Sequence, residues 1–411
     1  MKFNLYRQEF KNIAISDVST FERQNVAKAV ELLRQEIAEK KIPAISIVEQ
    51  NDDLVNFQKI SQTLQKFKKV FVLGVGGSSL GAKTICAMKP NCQLEFIESI
   101  DPDSIANALN NVDFSKSFFL VISKSGQTVE TICQALIVID KFGKDKNFQQ
   151  DLARHFLFIT ADKFSSLAKI AKEINAQVID HPADIGGRYS VFCAVGVIPA
   201  LIASLDVKKF RLGAKQAIDY FLNHSTIANS VAIQIELYNR GFRNNVFMPY
   251  VDILKNFTDW YRQLLAESLG KNGYGATPIN SMGTVDQHSQ LQLYLEGNHD
   301  KFFTFISAKT KVNDFTINDL EGCKTLFANK KLSEILDIEK NTTIEVLRQK
   351  KLPIRLFEFE MVDEESLGAL MMQMFLEIIA IAYAKNINPF DQPAVELRKD
   401  LAKQILANFY E

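Results

Sequence analysis

The chain has 411 residues, 47% hydrophobic and 23% charged, enough for two or three globular domains of roughly 150 residues each. Its 48 Lys and Arg balance 48 Asp and Glu, so no bulk field draws nucleic acid or an anionic membrane, and any anion must be held locally. The five cysteines are odd in number and lack the close pairing of a zinc or redox motif, and Met1–Glu9 has no apolar signal core; both point to a reducing cytoplasm.

Cys86, Cys133 and Cys193 lie in apolar runs and read as buried thiols. Tyr189–Leu205 and Leu367–Ala384 are apolar, but Pro199 interrupts the first and Gln373 and Glu377 the second. Each falls short of the roughly 20 uninterrupted residues a bilayer requires, so both read as buried core helices.

From Lys69 to Pro182 strand and helix patterns alternate. Strands are predicted at Val70–Leu73, Leu94–Ile97, Ser117–Ile122, His155–Thr160 and Gln177–Asp180. Helices are predicted up to Ala87, over Asp103–Asn110 and over Thr128–Phe142. Continuous apolar strands between helices imply a parallel sheet covered on both faces. A buried helix is predicted over Gly187–Leu205, then helices at Ile227–Tyr238 and Thr258–Leu269. Strands follow at Asn245–Val251, Phe302–Ile306 and Ile354–Met361, then a long apolar helix Glu365–Ala384 and an amphipathic tail Pro393–Tyr410. The pattern is that of an α/β protein with two units packed around a cleft.

Two loops suit phosphate. Gly74-Val75-Gly76-Gly77-Ser78-Ser79-Leu80-Gly81 leaves a strand and enters a helix, aiming free N–H groups and a helix dipole at an anion. It departs from a dinucleotide fingerprint at Ser79 and has no P-loop lysine-hydroxyl pair, and an ordinary tight turn remains the alternative. Ser123-Lys124-Ser125-Gly126-Gln127-Thr128 repeats the arrangement with three hydroxyls in six residues, where capping would need one. Both loops follow strand carboxyl ends, where ligands of open parallel sheets sit.

Glu267 closes an amphipathic run before Gly270 and Gly273, a confined place for a carboxylate that could remove a proton beside a carbonyl; a solvated surface glutamate is the alternative. Arg188, after Gly186-Gly187, suits an enediolate or a phosphate, or else a structural ion pair. His288 is one of five histidines and could shuttle a proton at neutral pH. His181, His224 and His299 show no ligand spacing with it, so no metal site is predicted.

Taken together and in order, these segments resemble the glucose-6-phosphate isomerase family over nearly the whole chain. Gly74–Gly81 resembles its glycine-serine loop, Ser123–Thr131 its phosphate loop, Gly186–Ser190 its arginine motif and Gln263–Lys271 its glutamate signature. Gly283–Ser289 resembles its histidine segment, and Phe390–Lys399 its C-terminal lysine motif. Pro393-Ala394 stand where that last motif usually has an aromatic and a glycine, and Arg398 stands where it has a glycine.

The resemblance implies reversible isomerisation of glucose 6-phosphate and fructose 6-phosphate through a cis-enediol, with no cofactor and no metal. It implies Glu267 as the base, Arg188 stabilising the enediolate, and His288 and Lys399 opening the ring, with His288 supplied by the other subunit of a homodimer. Ser123, Lys124, Ser125 and Thr128 would hold the phosphate, and Gly77, Ser78, Gln263 and Gln392 would line the sugar. The implied fold is two sugar-isomerase-type α/β/α sandwich domains with parallel-sheet cores, over 43–205 and 206–388. An N-terminal helical segment (1–42) and a C-terminal helix (389–411) carrying the lysine motif complete it.

Three alternatives stay open on residues alone. One is a sugar-phosphate aminotransferase module, though the chain shows no N-terminal Cys or extra glutamine-hydrolysing domain. Another is a phosphosugar-binding regulator, though it shows no basic helix-turn-helix segment. The third is another sugar-phosphate isomerase, or one that also accepts mannose 6-phosphate.

Overall fold

A computed structural model of the chain describes residues 5–144, 152–309 and 313–408. The first sheet has strands β2 (Lys69–Leu73), β3 (Leu94–Ile97), β4 (Ser117–Ile122), β5 (Phe156–Thr160) and β6 (Gln177–Asp180), in the order β3-β2-β4-β5-β6. Every pairing in it is parallel. Central strands β2, β4 and β5 are sequestered almost to the last side chain, which is why they read as unbroken apolar runs. Phe71, Phe119 and Phe156 stack across neighbouring strands on one face, with ring centroids 5.2 and 5.1 Å apart.

The second sheet has β1 (Tyr6–Lys11), β7 (Asn244–Pro249), β8 (Thr277–Asn280), β9 (Lys301–Ala308) and β10 (Ile354–Phe359), in the order β1-β10-β9-β7-β8. Four of its strands run parallel, and β1 closes one edge antiparallel to β10. Neither β1 nor β8 is apparent in the sequence: of the segment 1–42 expected to be helical, Thr20–Ala38 is a helix and Tyr6–Lys11 is a strand, and the helices Asp52–Leu64, Val207–Asn223 and Leu332–Gln349 join those predicted.

The predicted helix over Gly187–Leu205 is two pieces. A tight turn Gly187–Phe192 is followed by extended backbone at Cys193 and then the helix Ala194–Ile202. The break lets the turn lie against the first glycine loop while the helix continues into the core. The helix Glu364–Ala384 is long and apolar enough to cross a membrane, yet it is almost wholly enclosed by protein. Its polar residues are accounted for inside the fold: Glu377 pairs with the fully buried Arg355 and accepts from Gln373 and Gln234. Cys86 and Cys193 are buried thiols as predicted, whereas Cys133 is only half-buried. The tail forms the helix Pro393–Asn408; the predicted extension to Tyr410, and Met1–Asn4 of the N-terminal stretch, lie outside the described residues.

Candidate active site

The carboxyl ends of β2 and β4 put the two hydroxyl-rich loops side by side. In the first loop Gly76 takes a left-handed conformation (φ 58°), open at little cost only to glycine. Gly77 then meets the arginine motif so closely that a Cβ would lie 2.2 Å from the carbonyl carbon of Gly187. Ser190 Oγ, on the same turn as Arg188, donates to the Gly77 carbonyl at 3.1 Å.

In the second loop Ser123 is buried, its Oγ 2.9 Å from Thr128 Oγ1 and accepting from the Gly126 N–H at 3.2 Å. Ser125 Oγ accepts from the Gln127 N–H and is exposed. Thr128 occupies the N-cap of the helix Val129–Gly143, but its side chain makes no capping bond. Its hydroxyl therefore does not serve the cap role that the sequence left open, and the amides of the first helical turn remain available to an anion. Burial holds the Lys124 ammonium below the usual lysine range; Asp184 opposes this and the charge of Arg188 adds to it.

His181 directly follows β6, the edge strand beyond β5, and is almost fully buried. Its Nδ1 donates to the Pro182 carbonyl at 2.8 Å, which fixes the proton on that nitrogen. Burial pushes its pKa down from 6.5 to about 4, the Pro182 bond opposing and the nearby Lys124 charge assisting.

The helix Lys255–Leu269 buries Trp260, Tyr261, Leu264 and Leu265 and turns Gln263 and Glu267, four residues apart, toward the loops. Gln263 Nε2 donates to Glu267 Oε1 at 2.9 Å, and Arg188 Nη1 lies 3.3 Å from Glu267 Oε2. The guanidinium is buried and forked. Nε donates to Ser268 Oγ at 2.8 Å, and Nη2 to the carbonyls of Pro389 and Asp391 at 2.5 and 2.9 Å. Among the described residues Nη1 makes two longer contacts, to Glu267 and, at 3.4 Å, to Gln392 Oε1. It is the arm of the fork best placed to shift onto an incoming negative oxygen.

Gly77, Gln263, Glu267, Arg188 and Gln392 thus form one contiguous cluster, with Ser78 on the turn beside it and Ser123, Lys124, Ser125 and Thr128 on the adjacent loop. Lys399 stands apart: its ammonium pairs with Glu396 at 2.6 Å on an exposed helix face. His288 also stands apart. It lines a separate cavity of about 930 Å³ with Tyr250, Asp252 and Glu339, and none of the Glu267 cluster borders that cavity.

Residue reading alone missed two holding residues. Ser268 receives Arg188 and lies 2.9 Å from Tyr189 Oη. Lys271 donates to the carbonyls of Asn388 and Asp391 at 2.5 and 2.7 Å, tying the C-terminal segment to the site. Both fall inside the glutamate signature, but their partners are more than 75 residues away, beyond the reach of local pattern.

A profile described as Phosphoglucose isomerase matches residues 49–411. The probable glucose-6-phosphate isomerase of Methanococcus maripaludis is 32% identical over 98% of this chain and 93% of its own length. The glucose-6-phosphate isomerase of Methanocaldococcus jannaschii is 33% identical over 84% of this chain and 86% of its own. Among solved structures, a hypothetical protein from Thermus thermophilus superposes with a TM-score of 0.85 at 25% identity, covering 94% of this chain and 96% of that one. The motifs in order, the two parallel-sheet units and the extent of these matches agree: the chain belongs to the phosphoglucose isomerase family.

Proposed function

We infer that this chain interconverts glucose 6-phosphate and fructose 6-phosphate. The observation that carries the reading is the Gln263–Glu267–Arg188 cluster set beside two glycine- and hydroxyl-rich loops. In the open-chain aldose, Glu267 takes the proton from C2 while the C1 carbonyl oxygen gains the negative charge of the enediolate. Arg188 Nη1 faces that charge. The hydroxyl proton on O2 passes to O1, the same carboxyl returns its proton to C1, the electrons left on O2 form the carbonyl at C2, and the ketose results. Ser123, Lys124, Ser125, Thr128 and the free amides of the helix Val129–Gly143 hold the phosphate. Gly77, Ser78, Gln263 and Gln392 line the sugar.

Ring opening needs a second proton relay, which we assign to His288 and Lys399. Because His288 borders a cavity separate from its own chain's Glu267, the working unit is a homodimer in which each subunit lends His288 to its neighbour. The cysteines are free thiols, in keeping with a cytoplasmic enzyme. Relatives named as isomerases favour this reading over the aminotransferase module or the regulator.

The test is a coupled assay of glucose 6-phosphate formed from fructose 6-phosphate, repeated with mannose 6-phosphate, alongside the solution mass of the protein. Turnover with the first substrate and a dimer mass are expected. An inert, correctly folded protein would overturn the activity, and an active monomer would overturn the shared site.

A further inference from the structure

Ser79, Lys83 and Glu98 lie behind the first glycine loop, and no step described above uses them. Glu98 directly follows β3, whose last residue Ile97 pairs with Leu73 at the end of β2, so its backbone runs alongside the start of the glycine loop. The Gly74 N–H bonds to the Ile97 carbonyl at 3.4 Å. Both carboxylate oxygens of Glu98 are engaged. Oε1 accepts from the fully buried Ser79 Oγ at 2.5 Å, and Oε2 accepts from Lys83 Nζ at 2.6 Å. Ser79 Oγ also lies 3.2 Å from the Gly76 carbonyl, and Lys83 lies one turn further along the helix Leu80–Cys86.

One carboxylate therefore ties the end of the glycine turn and the first turns of the helix to a neighbouring strand. On the opposite side the same turn is pressed against the active site. A Cβ on Gly76 would lie 3.0 Å from Gln263 Nε2, the donor that orients Glu267, and Gly77 abuts Gly187 beside Arg188.

We propose that Glu98 is a positioning residue for the isomerisation. Through Ser79 and Lys83 it holds the Gly76–Ser78 turn against Gln263 and Gly187, and so sets where the Glu267 carboxylate points. Glu98 touches neither substrate nor the reacting atoms in this account, which rests on the isomerase reading above. Losing the tie lets the turn move away from Gln263, and Gln263 then holds Glu267 less firmly. The effect falls on turnover, while the phosphate loop after β4 keeps its own bonds.

The experiment compares wild type with Glu98→Ala, Glu98→Gln, Ser79→Ala, Lys83→Met and the Glu98→Ala/Ser79→Ala pair. For each, kcat, KM, the inhibition constant of inorganic phosphate and Tm are measured. Glu98→Ala is expected to lower kcat about tenfold, in keeping with the steep dependence of rate on sub-ångström placement. Phosphate inhibition should change less than about threefold, since phosphate contacts position rather than chemistry here. Glu98→Gln keeps an acceptor for Ser79 and should recover most of the loss. The double variant should be no slower than Glu98→Ala, because the two residues act along one path.

A Glu98→Ala enzyme with wild-type kcat, even if less heat-stable, overturns the proposal. So does a double variant whose losses multiply. If Glu98→Ala does not fold, Ser79→Ala and Lys83→Met decide the matter, and normal kcat in both overturns it. Wild-type protein that fails to isomerise fructose 6-phosphate refutes the isomerase reading instead, and that result is read before any variant.

Discussion

Gly77 and Gly187 touch through their backbones, and the contact joins the glycine loop of the first sheet to the turn that carries Arg188. The conformation of Gly77 is ordinary, so glycine is required there by space. A methyl group would meet the carbonyl carbon and oxygen of Gly187 at 2.2 and 2.5 Å, and both are backbone atoms unable to rotate aside. Gly77→Ala should cost on the order of 1–3 kcal/mol of stability by overpacking. It should also lower kcat/KM at least about tenfold by parting the loop from Arg188. Thermal melts and steady-state kinetics on the same preparation check both, and wild-type values for either would mean that the two turns separate freely.

Glu267→Gln preserves volume and the bond from Gln263 but deletes the base. Turnover should fall by about 10²–10⁴-fold, together with exchange of the substrate C2 hydrogen for solvent deuterium. Tm should change little, because Arg188 keeps Ser268, Pro389 and Asp391. Arg188→Lys should lose part of both activities, since an ammonium keeps the charge but cannot bridge Ser268, Glu267 and two carbonyls at once. Normal exchange in the Gln variant would place the proton transfer elsewhere.

Thr128→Val removes a hydroxyl that caps no helix and, among the described residues, pairs with Ser123. Loss of a hydrogen bond to a charged ligand should cost roughly 1.5–3 kcal/mol, read as a raised KM for fructose 6-phosphate with kcat nearly kept. A lower kcat at unchanged KM would move Thr128 into the chemical step.

His181 supplies a pH dependence with a definite sign. Its native pKa of about 4 lies below its ordinary 6.5, so between these values the unfolded chain binds a proton that the native state excludes. Stability should therefore be fully present above about pH 6.5 and decline toward pH 4, by up to roughly 3 kcal/mol from this group at about 1.4 kcal/mol per pH unit. His181→Asn keeps a donor for the Pro182 carbonyl without titrating. Urea unfolding across that window should show a shallower slope by close to one proton, and an unchanged slope would assign the acid sensitivity to other groups.

The central strands of the first sheet were legible because burial on both faces forces continuous apolar runs. Both hydroxyl-rich loops were legible because glycine and hydroxyls cluster where those runs stop. The edge strand β1 was hidden. Tyr6, Gln8 and Phe10 alternate with the charged Arg7, Glu9 and Lys11, but only Tyr6 is buried, and so short a run with one buried side chain lacks the apolar content that marks a strand. The Gly187–Leu205 stretch read as one helix because hydrophobicity reports burial, whereas the break at Cys193 follows from where the Arg188 turn must sit. Glu267 and Arg188 could be nominated from local pattern. Their shared dependence on Pro389, Asp391, Ser268 and Lys271 could not, because contacts across 80 to 200 residues leave no mark on neighbouring positions.

The antiparallel pairing of β1 with β10 has a consequence for synthesis. Ile354 leaves the ribosome some 340 residues after its partner Lys11, roughly 20 to 70 s later at ordinary elongation rates. The first sheet, from Lys69 to Asp180, can assemble during that interval from strands that follow one another closely. The second must wait with its first strand unpaired. Tyr6, whose hydroxyl finally meets Gln373 at 2.5 Å, is thus made long before the partner that fixes it in place.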